Sequence, residues 1–128
     1  MKKTKRVISV ILAGLLMLCM LYIPAFAMQV KGTLGGYTTS GVLNWTSTYN
    51  GAYAATAYGT TATSIYAYCE YHYTKNGQSG SLYGSNTNYN AQSVSITKSL
   101  SGSTRVSANS THTITHNIYG TWSRSLTI

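Results

Sequence analysis

Glu70 is the only carboxylic side chain in the sequence, which contains no aspartate. Ordinary glycosidases need a pair of carboxylates, and oxygen-rich Ca²⁺ sites lean on several. One acid excludes both. A Ser-His-acid triad could recruit His72 and Glu70, yet no Gly-x-Ser-x-Gly turn is present to expose a nucleophilic serine. Cys69 and His72 stand three apart, which on a strand sends them to opposite faces. His112 and His116 have a spacing that chelates zinc from a helix but separates two strand residues by roughly 13 Å. They are expected at the margins of an apolar face, with His116 opposite Trp122. These residues predict a non-enzymatic protein with neither metal nor cofactor.

The remaining chemistry is recognition, and the elements that would position it follow an N-terminal address. Met1-Lys2-Lys3-Thr4-Lys5-Arg6, the apolar run Val7 to Ile23, and Pro24-Ala25-Phe26-Ala27 have the order of a charged n-region, an apolar h-region and an Ala-x-Ala site. They predict a signal peptide over 1–27 and one secreted domain over 28–128. Cleavage would leave Lys31, Lys75, Lys98, Arg105 and Arg124 against Glu70, a net charge of about +4. Dispersed cations favour anionic surfaces weakly and give no nucleic-acid footprint. No stretch of the mature part approaches the ~20 apolar residues that span a bilayer. Cys69 would be its one thiol, so an internal disulfide is excluded. The thiol is expected to be buried as a small hydrophobe or to link two chains.

About a third of the mature residues are Ser or Thr, and all the tyrosines except Tyr22 lie there. Gly and Asn punctuate short alternating runs, which is strand-and-turn composition. The turn signals Gly35-Gly36, Asn50-Gly51, Gly59-Thr60, Asn76-Gly77, Ser101-Gly102-Ser103 and Tyr119-Gly120 divide the chain into about seven or eight strands. The expected fold is an all-β, antiparallel β-sandwich, immunoglobulin-like or similar. From position 94 onward the apolar residues fall at even positions (Val94, Ile96, Val106, Ala108, Ile114, Ile118, Trp122, Leu126). Hydroxyls fill the odd ones, from Ser93 through Thr111, Thr113 and Thr115 to Thr127. These runs predict an antiparallel sheet with one apolar and one hydroxyl face.

Asn76-Gly77 is the strongest turn, because both central residues of a type I′ hairpin need positive φ. It sets Lys75 opposite Gln78, Tyr71 opposite Leu82 and Glu70 opposite Tyr83. Ile65, Ala67, Cys69, Tyr71 and Leu82 then share a core face. With Gly59-Thr60 as a second two-residue turn, Ala52 and Ala54 join that face. The opposite side becomes the candidate binding site: Tyr49, Tyr53, Tyr66, Tyr68, Glu70, His72 and Tyr83. Exposed tyrosine offers a broad amphipathic surface at low entropic cost and can stack on sugar rings. The expected partner is a surface glycan, a cell-wall polymer or a protein. The rival readings are a secreted antimicrobial or membrane-active protein, and an extracellular structural protein that self-assembles edge to edge because few charges guard its strands.

Overall fold

Alternation of small or apolar residues with hydroxylic ones builds six strands and no helix among the described residues. They are β1 (Met28–Leu34), β2 (Tyr37–Trp45), β3 (Gly51–Lys75), β4 (Gln78–Ser99), β5 (Thr104–His116) and β6 (Gly120–Thr127). The structure, a computed structural model, describes residues 27–128. The expected signal peptide lies, up to Phe26, outside the described residues.

All pairings are antiparallel, in the order β1-β2-β3-β5-β6 with β4 also on β3. Residues 52–57 of β3 pair with both β2 and β4, and residues 64–74 pair with both β4 and β5. A strand has only two edges, so β2 and β5 share one edge of β3 and β4 runs along the other. The sheet curls until β1 meets β6, nearly closed into a barrel.

The curl has a local cause. Four residues of β3, between Ala57 and Ala62, span the same interval as the single residue between Ser93 and Ala91 on β4. Such a bulge bends its strand and raises the twist. The inward phase runs through the even positions Ala52, Ala54, Thr56, Tyr58 and Ala62 and changes just beyond the bulge to the odd ones Ile65, Ala67, Cys69 and Tyr71. Both arms of β3 therefore face the same interior. Side chains tie the corner: Thr56 Oγ1 donates to the Tyr66 carbonyl at 2.8 Å, and the Asn86 and Asn88 amides donate to the carbonyls of Ser95 and Ser93.

The bulge also corrects an expectation. Gly59-Thr60 is no turn but lies inside β3, so the hairpin drawn around it does not exist. Ala52 and Ala54 are buried as expected, but by facing the barrel interior rather than by pairing across that turn. The Asn76-Gly77 turn stands as read, with φ of 52° and 74° and all three expected pairs in register. The Ser101-Gly102-Ser103 connection does not make a hairpin, because β4 and β5 lie on opposite edges of β3. In the last hairpin Ile114, not His116, stands opposite Trp122, since residues 117–119 form the loop.

The interior has two apolar halves. One gathers Tyr58, Ala62, Ile65, Ala67, Val94, Ile114 and Trp122. The other gathers Leu43, Ala52, Ala54, Cys69, Tyr71 and Ala108. Alanine at so many inward positions lets facing strands approach closely. Val106 and Ile118, in phase with the core by sequence, are 60% and 76% exposed. Val106 sits at the register shift between β3 and β5, and Ile118 in the final loop, so neither keeps the phase of its strand.

Candidate functional site

The type I′ hairpin fixes which side chains share the outer surface of the second arm of β3. Four rows cross β4, β3, β5 and β6 there, read directly from the pairing. Tyr83, Glu70, Asn109 and Thr127 form the first. Ser85, Tyr68, Thr111 and Ser125 form the second, and Thr87, Tyr66, Thr113 and Ser123 the third. Tyr89, Ser64, Thr115 and Thr121 form the fourth. His72 extends the surface beyond the first row, between Ser81 and Ser107.

The β3–β4 side of this surface carries four tyrosines, and the β5–β6 side is hydroxylic apart from Asn109. Tyr66 and Tyr68 are half-buried between their neighbours, while Tyr83 and Tyr89 on β4 are 69% and 73% exposed. On β5 and β6 the hydroxyls pair across the strands: Thr111 with Ser125 at 3.2 Å, Thr113 with Ser123 at 3.0 Å, Thr115 with Thr121 at 3.5 Å. A paired hydroxyl keeps free lone pairs, so the grid can still accept hydrogen bonds from outside.

The ionisable groups sit together at one end. Tyr68 donates its phenol to Glu70 Oε2 at 3.2 Å, and Glu70 Oε1 lies 3.4 Å from His72 Nε2. Thr127 donates to Asn109 Oδ1, which turns the Asn109 amide nitrogen toward His72 Nε2 at 3.3 Å. Desolvation, then the hydrogen bond to the Glu70 carboxylate, raises the Tyr68 phenol above its ordinary pKa and keeps it a donor. Comparison with protein-family models, curated proteins and solved structures finds no match.

Five of the seven candidate residues, Tyr66, Tyr68, Glu70, His72 and Tyr83, thus come together as read from the hairpin. Tyr49 and Tyr53 do not join them, because the turn that would have carried them there is absent. Tyr53 lies on the first arm of β3, between Asn44 and Thr97. Tyr49 lies in the loop after β2, with the Arg105 guanidinium 4.5 Å over its ring and 5.0 Å over that of Trp45. Tyr89 is the residue that sequence reasoning missed. Counting two-residue steps along β4 from Tyr83 would have placed it on the same surface.

Two other chemistries resolve into structure. Ser110, His112 and Thr56 form a hydrogen-bonded chain that resembles a nucleophile and its base, with His112 Nε2 at 2.7 Å from Ser110 Oγ and Nδ1 at 2.8 Å from Thr56 Oγ1. All three residues are buried, so the chain joins strands and offers substrate no approach. His112 is therefore at the centre of the interior and not at its margin. Cys69 is also buried, and loss of water pushes its thiol up to about 11 against a smaller opposing pull from Lys98. It is packed as a hydrophobe and is not placed to link two chains. A concavity of about 220 Å³ at the β3–β4 turn is lined by Tyr73, Lys75, Asn76, Gln78, Ser79 and Leu100. That is below the roughly 300–1,000 Å³ of ligand pockets.

Proposed function

We propose that the chain is a secreted, non-enzymatic module that holds a glycan on the outer surface of β4, β3, β5 and β6. The observation that carries this reading is the exposure of Tyr83 and Tyr89 beside Tyr66 and Tyr68, flanked by an uncharged hydroxyl grid. Tyrosine faces give sugar rings a stacking surface, and the grid supplies acceptors for their hydroxyls. The same reading treats the arms of the bent β3 and β4 as separate strands in two facing layers, a sandwich. Secretion rests on the signal-peptide pattern of residues 1–27.

Tyr66→Ala and Tyr68→Ala are each expected to weaken retention on a glycan array by about 1–3 kcal/mol, as loss of an aromatic anchor commonly does. Urea titration should show far less than the roughly 3–5 kcal/mol that emptying a core aromatic site costs. Stability losses of that larger size would make the rings core residues and remove the binding surface.

The outer edge of β4 favours a second reading, edge-to-edge self-association. Among the described residues nothing pairs with that edge over the whole of Gln78–Ser99, which carries Lys98 as its one charge and no proline. Edges of this kind template further strands. Sedimentation that stays monomeric across a hundredfold concentration range would dispose of it.

A further inference from the structure

We infer that the ligand of this surface is a linear, uncharged polysaccharide chain lying along the strands; the inference rests on the glycan reading above. The row geometry supplies the direction. Each of the four rows contributes one tyrosine: Tyr83 in the first, Tyr68 in the second, Tyr66 in the third and Tyr89 in the fourth. The outer two come from β4 and the inner two from β3, so the rings form a shallow arc along the ribbon. Residues two apart on a strand are separated by about 6.8 Å, and Tyr83 and Tyr89 by about 20 Å. A single sugar could meet one ring of such a track. A chain of several sugars meets all four in succession.

The flanks of the track indicate what kind of chain. On one side stand the hydroxyl and amide groups Asn109, Thr111, Thr113 and Thr115 of β5, one strand spacing away, and behind them the β6 residues they pair with. These groups can both donate to and accept from a ligand rich in hydroxyls, whereas a proline-rich peptide, which lacks donors along its length, would use only their donors. On the other side is the open edge of β4, which sets no wall at either end of a chain. The rows contain no lysine or arginine, and their only formal charge at neutral pH is that of Glu70 in the first row. A polyanion would meet that carboxylate along the tyrosine track, while the Arg124 guanidinium, on the Ser123 carbonyl, stands at the β6 side, two strands away from the tyrosines of β3.

The test is calorimetric titration of the secreted protein with cello-, chito- and malto-oligosaccharides from disaccharide to octasaccharide. Polygalacturonate, a teichoic acid and a polyproline peptide complete the series. The expected result is affinity for at least one neutral series that climbs with length until the chain spans the track, and then levels. Tyr83→Ala and Tyr89→Ala, both at exposed positions, should each weaken the longest oligosaccharide about tenfold and leave the disaccharide unchanged. A disaccharide that binds as tightly as the octasaccharide, or a preference for either polyanion, would overturn the linear, neutral ligand and leave the tyrosine platform standing. Binding of the polyproline peptide in place of every sugar, or of nothing in the series, would bring down the glycan reading and this inference with it.

Discussion

Acidification from pH 7 to pH 4 is expected to lower the folding stability of the domain by about 3 kcal/mol through His112 alone. Burial holds this imidazole down to about 4, against an ordinary 6.5, because a charge there would have no water. The hydrogen bonds fix its neutral form. Thr56 Oγ1 donates to the Tyr66 carbonyl, so it must accept from Nδ1–H of His112, and Nε2 then accepts from Ser110. Protonation would give the ring a second N–H, at Nε2, which Ser110 could meet only by reversing its own bond. Between pH 6.5 and 4 the unfolded chain binds a proton that the folded chain refuses, so stability falls as pH falls. The contribution is whole above 6.5 and gone below 4. Each pH unit of that interval carries about 1.4 kcal/mol, which gives the total. Against the roughly 5–15 kcal/mol of a typical domain, such a loss is large. Urea titrations at pH 7, 5.5 and 4 measure it, and His112→Gln should flatten the profile over that interval. An unchanged slope in the variant would assign the acid sensitivity elsewhere.

Why His112 escaped the sequence while Glu70 and Tyr83 did not is a matter of range. Asn76-Gly77 dictates its own hairpin, because positive φ at two successive residues is a local demand, and the register then follows for every residue up to the corner. The pairs Glu70–Tyr83 and Tyr71–Leu82 needed nothing more. The odd-numbered hydroxyls of β5 and β6 were likewise legible, since alternation alone puts Thr111, Thr113 and Thr115 on one side. The corner of β3 was not. Gly59 and Thr60 look like a turn, and only the demand that one strand serve β2 on its first arm and β5 on its second keeps them extended. Tyr49 and Tyr53 were misplaced for that reason. Ser110 and His112 stand at even positions among apolar residues, so the alternation itself assigned them to the interior. Their polarity argued against it, and the partner that resolves the conflict, Thr56, is 56 residues away in sequence.

The same buried chain makes Gly41 a sensitive small residue of the barrel. Gly41 lies on β2, facing β5 across the interior, and it is buried. A methyl group there would stand 2.5 Å from Cγ and 2.6 Å from Cδ2 of His112. The ring cannot swing aside, because both nitrogens are held, by Thr56 and by Ser110. Gly41→Ala must therefore either displace β2 or break a buried hydrogen bond. Overpacking costs about 1–3 kcal/mol, and an orphaned buried polar group about 1–3 more. The expected loss is about 3 kcal/mol or above, measured by urea titration at pH 7. His112→Ala should be costly on its own, since it empties the site and strands both hydroxyls. In that background, however, the Gly41 methyl group enters space that the ring has vacated. Adding Gly41→Ala to His112→Ala should then cost less than 1 kcal/mol, and the double-mutant cycle should return a coupling of about 2 kcal/mol or more. A Gly41→Ala variant as stable as the parent, or two substitutions whose costs simply add, would show that β2 and β5 do not meet at this point.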